Sequence, residues 1–294
     1  MSISTEPMND QSNAAAGRLG RDLNDAEESI SLGITQRAAW PKRANVLGIG
    51  ISVISMDDAI RLSDELIQSG NRGYICATDV HTVIEAQTDS ALASALNRSF
   101  LTTPDGMPLV WVAKLQGHRD IERVYGPDYM LAMCRFSVAR GYRHFLFGGH
   151  PGVAERLRAE MVGRFPGLQI VGHYTPPFRQ LTRDEEEELA QLVAEAKPDV
   201  FWVGLGSPKQ ELFMAKYCGL LDVKLMVGVG AAFDFHSGRV KEAPEWIKKT
   251  GLQWIYRLIK EPRRLWRRYY SCVPSFIWNI TLQLTGMKAY RRTD

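Results

Sequence analysis

Three aspartates, two glycine-rich turns and a set of arginines are the residues of this 294-residue chain best suited to work on a charged ligand. Asp105 lies in Thr102-Thr103-Pro104-Asp105-Gly106-Met107-Pro108, a turn followed at once by the apolar run Leu109-Val110-Trp111-Val112. Proline presets φ and glycine accepts positive φ, so the turn needs no function to exist. The apolar helix start behind it nevertheless places the carboxylate at the rim of a pocket, in position to act as a general base. Asp79 closes the buried run Cys76-Ala77-Thr78-Asp79, and a helix cap by Thr78 or Asp79 is the structural alternative there. In Gly204-Leu205-Gly206-Ser207-Pro208-Lys209-Gln210-Glu211, small residues precede a helix start, so backbone amides and the positive helix end can approach a phosphate. A tight turn with a Ser207 cap is the plainer account of the same residues. Asp234 stands between Phe233 and Phe235 after Gly228-Val229-Gly230-Ala231-Ala232, where a carboxylate is either hydrogen-bonded structurally or touches a ligand edge. No GxGxxG fingerprint or Walker A loop is present, which disfavours a nicotinamide or ATP site and leaves another class of nucleotide open.

These residues need a scaffold that brings separate turns together. After Pro41, short β-rich runs at residues 45–53, 73–79, 144–149, 168–174, 199–206 and 224–230 alternate with helix-length segments. Three of those segments carry helix-start signals: 57–69 behind a Ser55/Asp58 capping pair, 151–164 with Pro151 in its first turn, and 183–196 with acids in its first turn. The alternation predicts an α/β fold, a Rossmann-like and mostly parallel sheet flanked by helices, whose ligands sit beyond the carboxyl ends of the strands. At 45% hydrophobic and 23% charged, the chain is long enough to bury a substantial core. Residues 1–40, polar and without an apolar period, are expected to be a disordered leader, 41–245 the α/β core, and 246–294 a basic, amphipathic helical appendage. Cys76, Cys134, Cys218 and Cys272 are widely separated with no metal-ligand spacing, and the histidines show no HxxxH or HExxH pattern. His150, beside Gly148 and Gly149, reads as a loop residue. The acidic run 184–188 reads as a solvated, dipole-favoured helix start.

The carboxyl-terminal stretch has its own chemistry. From Lys241 onward there are twelve Lys and Arg against four Asp and Glu, which concentrates positive charge in the tail and calls for an anionic partner. Trp246, Trp254, Ile255, Leu258, Ile259, Leu265, Trp266 and Tyr269 are interleaved with Lys248, Lys249, Arg257, Lys260, Arg263, Arg264, Arg267 and Arg268, and Pro262 is expected to divide the segment into two short helices. That density of basic and aromatic residues suits an interfacial helix on an anionic leaflet. Residues 275–286 are too few to span a bilayer, and either dip into the interface or pack on the core. With no signal-peptide pattern and no run of 18 apolar residues, the expected location is cytoplasmic, peripheral on the inner face of the membrane. A nucleic-acid-binding protein is the rival that the same tail permits. The pocket-like turns argue against it.

Six ordered motifs, TPDGMPLVW, RVYGPDYM, FLFGGHPGVAE, VGLGSPKQE, GVGAAFDFHSGRVKEAPEW and GLQWIYRLIKEPRRLWRRY, resemble the WecG/TagA/CpsF family of bacterial glycosyltransferases over residues 45–270. The resemblance implies an inverting transfer of a sugar, such as N-acetylmannosamine or another hexose, from a UDP donor to a polyprenyl-diphosphate-linked monosaccharide in cell-envelope or exopolysaccharide synthesis. It implies no cofactor and no metal, and the DxD metal motif of many glycosyltransferases is absent from the chain. By the same resemblance Asp105 is the base, Gln210 and Asp234 line the UDP pocket, and Arg257, Arg264 and Arg267 close over the diphosphate; Asp79, Gly204, Gly206 and Ser207, read from their own turns, are expected to join the donor site. Arg123, Tyr125, Gly126 and Asp128 belong to a family motif to which the residues alone assign no chemical role; shaping an acceptor channel is what is expected of them. Where the family usually has Thr-x-Asn, this chain has Ala77-Thr78-Asp79, and an ionised Asp79 would disfavour an anionic donor sugar. The donor sugar is not specified by the sequence, and a homo-oligomer stays open.

Overall fold

The computed structural model describes residues 40–244, 246–247, 251, 253–260 and 262–292, with the side chains of 264, 265, 267 and 268 left aside. The expected leader over 1–40 therefore lies outside the described residues, Trp40 excepted. In chain order the elements are β1 (Arg43–Val46), β2 (Ile49–Ser52), α1 (Met56–Gln68), β3 (Gly73–Thr78), α2 (Val80–Glu85), α3 (Ser90–Arg98), β4 (Leu101–Pro104), α4 (Met107–Leu115) and α5 (Gly126–Arg140). They continue as β5 (Arg143–Gly148), α6 (Val153–Arg164), β6 (Gln169–Tyr174), α7 (Arg183–Ala196), β7 (Val200–Gly204), α8 (Lys209–Tyr217), β8 (Leu225–Gly228), α9 (Ala232–His236), α10 (Gln253–Lys260) and α11 (Pro262–Leu284).

Six strands form one parallel sheet in the order β4-β3-β8-β7-β5-β6, as the alternation of strand and helix predicts. Parallel strands with helices on both faces are buried on both faces, and Phe201, Trp202, Val203, Leu225 and Leu146 are all fully buried. Register decides where the turns go. Thr78 pairs with Pro104, Cys76 and Val203 with Gly228, and Gly148 with Gly204, so the carboxyl ends of five strands finish along one edge.

Four local expectations need correction. Residues 45–53 are not one strand: the chain reverses at Leu47-Gly48, both at positive φ (52° and 83°), to make the antiparallel β1–β2 hairpin. Positive φ at both central residues suits a tight hairpin turn, and the Asn45 side chain accepts from the Gly48 N–H at 2.8 Å. The apolar run Val46-Leu47-Gly48-Ile49 hid that turn. Residues 102–104, expected to belong to a turn, instead complete strand β4, which is four residues long and half threonine and so shows no strand pattern. Helix α6 starts two residues later than expected because Gly152 adopts φ 79°, leaving Pro151 in the preceding turn. In the tail, the helix after Pro262 is not short: α11 runs 23 residues and carries Pro274 inside it. By contrast, the Ser55/Asp58 capping box and the 183–196 helix, itself capped by Thr182 and Glu185, stand as read.

The second half of α11 packs on the core. Phe276 and Ile280 are buried in the same cluster as the hairpin residues. The Gln283 amide donates to Asn45 O and accepts from Leu47 N, each at 2.9 Å, while Asn45 Nδ2 donates to Tyr290 O at 2.7 Å. The opposite face leaves Ile277 and Trp278 exposed. Among the described residues no helix is long and apolar enough to cross a membrane.

Candidate active site

A cavity of about 1160 Å³ opens where the strand ends meet, and Asp79, Asp105, Gly204, Gly206, Ser207, Gln210, Asp234 and Arg257 all line it. Residues from four turns and the tail, spread over 178 positions of sequence, thus share one space. The side chains of Arg264 and Arg267 lie outside the described residues.

Asp79 is the N-cap of α2, accepting from Thr82 N at 2.9 Å and Thr82 Oγ1 at 3.0 Å, so the capping account holds while the residue also faces the cavity. Thr82 Oγ1 lies 3.0 Å from Ser207 Oγ, which ties the β3 end to the β7 end. Asp105 follows β4 directly. Its Oδ1 accepts from Gly126 N at 2.7 Å, at the amino end of α5, and its carbonyl accepts from Arg123 Nε at 2.6 Å. A side chain at Gly126 would meet Ala77 at 3.3 Å and the Asp105 carboxylate at 3.4 Å, so glycine is what lets that N–H approach. Burial pushes the Asp105 carboxyl up to about 6 and Asp79 adds to the rise; Arg123, the Gly126 N–H and Arg257 oppose it. A carboxylate that is still mostly ionised at neutral pH, yet markedly more basic than a solvated one, suits general-base work.

The glycine turns have two separate roles. A Cβ on Gly204 would lie 2.7 Å from the buried Phe233 ring, and one on Gly148, at φ 119°, would lie 2.7 Å from the Gly204 carbonyl. Those two glycines serve the packing of the loops. Gly206, at φ 76°, has open space where its side chain would be, and so leaves the backbone accessible from the cavity. Beside it Gln210 is 3% exposed; its Nε2 donates to Glu211 Oε1 at 3.0 Å, while its Oε1 is buried without a hydrogen-bond partner. Glu211, fully buried beneath the floor, is pushed up to about 7 chiefly by burial. Asp234 Oδ1 accepts from Arg239 Nη1 at 2.8 Å.

Arg257 enters from α10, its guanidinium 6.0 Å from the Phe235 ring and its Nε buried without a hydrogen-bond partner. One turn earlier, Gln253 Oε1 accepts from Arg123 Nη2 at 2.6 Å and Gln253 Nε2 donates to the Tyr125 hydroxyl at 2.5 Å. Sequence reasoning missed Gln253 and Glu211, and expected Arg123 and Tyr125 to shape an acceptor channel without foreseeing their contacts with Asp105 and Gln253. Glu211 was adjacent to a chosen residue and could have been found by asking what orients Gln210. Gln253 had no such local signal. His150 lines the cavity rim, 5.3 Å from the Phe178 ring. Among the described residues no group of three or more His, Cys, Asp or Glu is placed to hold a metal ion.

An acid, an arginine and open glycine backbone are thus gathered at the strand ends of a doubly wound sheet, the edge at which such folds hold their ligands. Residues 44–290 match the family described as "Glycosyl transferase WecG/TagA/CpsF family", and the chain belongs to that family of glycosyltransferases. It is 32% identical over 212 residues to the N-acetylglucosaminyldiphosphoundecaprenol N-acetyl-beta-D-mannosaminyltransferase of Bacillus spizizenii, covering 70% of this chain and 78% of that one. It is 30% identical over 195 residues to the protein of the same name from Bacillus subtilis, covering 66% and 73%.

Proposed function

We propose that the protein transfers a hexose or N-acetylhexosamine from a UDP-sugar to a monosaccharide linked to a polyprenyl diphosphate, with inversion and without a metal. N-acetylmannosamine as the donor sugar and N-acetylglucosaminyl-diphosphoundecaprenol as the acceptor are the substrates that the names of the two Bacillus relatives bring forward. The observation that carries this reading is the convergence of Asp105, Gln210 and Arg257 on one cavity.

In this mechanism Asp105 accepts the proton of an acceptor hydroxyl. The freed oxygen attacks the anomeric carbon of the donor from the face opposite UDP, the carbon–oxygen bond to the β-phosphate breaks, and UDP leaves with the bonding pair. One base and one backside attack give inversion. The charge that develops on the diphosphate is met by Arg257, with Arg264 and Arg267 joining it, and by the open backbone at Gly206; guanidinium groups suit that duty. Gln210 and Asp234 receive hydroxyl or amide donors of the donor substrate, and Ser207 lies with them. The acceptor reaches the site from a lipid surface. Support for that approach comes from the exposed Trp246, Trp254, Trp266 and Tyr270 alongside Lys260 and Arg263, a pattern suited to an anionic leaflet on the cytoplasmic side.

The test is a screen of UDP-sugars against a short-chain lipid-diphosphate N-acetylglucosamine, with and without EDTA. The proposal expects product with UDP-N-acetylmannosamine or a neutral hexose, undiminished by the chelator. No transfer from any donor would overturn it, and loss of transfer in EDTA would overturn its metal-free form. Cosedimentation with anionic vesicles but not with single-stranded nucleic acid is expected alongside.

A further inference from the structure

Helix α10 is tied to the Arg123–Gly126 turn through Gln253. Gln253 is 7% exposed, and both ends of its amide are used by partners of opposite kind. A guanidinium can only donate, so Arg123 must face the amide oxygen, at 2.6 Å; the amide nitrogen is thereby turned to the Tyr125 hydroxyl, at 2.5 Å. Each arm leads to the proposed base. Through Arg123, whose guanidinium also lies 4.3 Å from the centre of the Tyr125 ring, the network reaches the Asp105 carbonyl at 2.6 Å. Through Tyr125 it reaches the next residue, Gly126, whose N–H holds the Asp105 carboxylate at 2.7 Å. Four residues on from Gln253, and so on the same side of the helix, stands Arg257 at the cavity wall.

We propose that Gln253 is a positioning residue: its seating sets Arg257 at the cavity and locks Arg123 and Gly126 around Asp105, so that docking of the tail and readiness of the base are one event. The inference rests on Asp105 being the base. It explains why a segment 130 residues downstream ends against the Arg123–Gly126 turn rather than elsewhere on the core. The groups that act on the Asp105 carboxylate are Arg123 and Arg257, which favour its charged form, Asp79, which opposes it, and the Gly126 N–H; Tyr125 stands beside it and Glu242 beside Tyr125. From the tail, Gln253 touches two of that set at once, Arg123 and Tyr125.

The experiment uses the full chain with Gln253→Met, Gln253→Glu and, in parallel, Asp105→Asn. Methionine keeps the unbranched length and removes both hydrogen bonds. A carboxylate at this position still accepts from Arg123 and from the Tyr125 hydroxyl. Gln253→Met is expected to lower kcat about tenfold to hundredfold, the scale of a reactive group displaced by about an ångström, with donor KM changed far less. Its acid limb in kcat/KM moves to higher pH, because a loosened Arg123 holds the charged carboxylate less well. Gln253→Glu is expected to keep kcat within about threefold. Wild-type kcat and an unmoved acid limb in Gln253→Met, with Asp105→Asn inactive, would overturn this inference alone. Equal loss in Gln253→Met and Gln253→Glu would also overturn it, since the contacts would not be the cause. Full activity in Asp105→Asn would remove the base and the inference together.

Discussion

Replacing Asp105 by asparagine should make the protein more stable at the pH where it works. The carboxyl group is raised from an ordinary value of 3.8 to about 6, principally by burial and then by Asp79, against the pull of Arg123, the Gly126 N–H and Arg257. A folded-state value above the unfolded one means that the fold favours the neutral acid. The stabilisation tied to that acid is whole below about pH 4 and is lost as pH rises through about 6. A gap of roughly two pH units is worth about 3 kcal/mol, at about 1.4 kcal/mol per unit. Asparagine keeps the shape, stays neutral, and its oxygen can still accept from Gly126 N, so it escapes that cost. Urea unfolding at pH 8, 6 and 4 measures the difference. Asp105→Asn is expected to exceed wild type by up to about 3 kcal/mol at pH 8, by less near pH 6, and by almost nothing at pH 4. A variant that is equally or less stable at pH 8, or a difference that does not change with pH, would refute the claim that the site holds a desolvated carboxylate. Functional sites that oppose folding in this way are stabilised when disarmed.

Further outcomes follow from the same geometry. Wild-type kcat/KM is expected to fall about tenfold per pH unit below the Asp105 transition near 6, and Asp79→Asn, which can still cap α2, should move that limb to lower pH in a pH–rate profile. If Asp79→Asn abolished transfer while Asp105→Asn retained it, the base would be Asp79. Gly204→Ala forces a methyl to 2.7 Å from the Phe233 ring, and should cost about 1–3 kcal/mol in denaturant titration together with a raised donor KM. Arg257→Ala removes a cation whose Nε lacks a protein partner, so stability should stay within about 0.5 kcal/mol while kcat drops roughly a hundredfold or more in steady-state assays.

Much of the fold was legible because β-rich runs alternated with helix-length segments, some with clear start signals, and that alternation admits few arrangements. The four junctions chosen from residue chemistry converge because parallel register aligns strand ends, as Gly148 with Gly204 and Val203 with Gly228 demonstrate. What escaped was local ambiguity and distance. Leu47 takes positive φ, which no leucine advertises, and β4 is too short to show a period. Pro274 normally argues against a helix interior, yet α11 passes through it on an exposed face. The Arg123–Gln253–Tyr125 contacts join residues some 130 positions apart, and no periodicity or spacing encodes such a pair.

The central claim, that Asp105 removes a proton from a lipid-linked acceptor sugar as UDP leaves the donor, is tested most directly by a transfer assay. Wild type and Asp105→Asn would be given labelled UDP-N-acetylmannosamine and a lipid-diphosphate N-acetylglucosamine, with product resolved by chromatography. The account predicts labelled lipid-linked disaccharide from wild type, and a rate at least about a hundredfold lower from a folded Asp105→Asn that still binds UDP. Equal rates from the two proteins would contradict it.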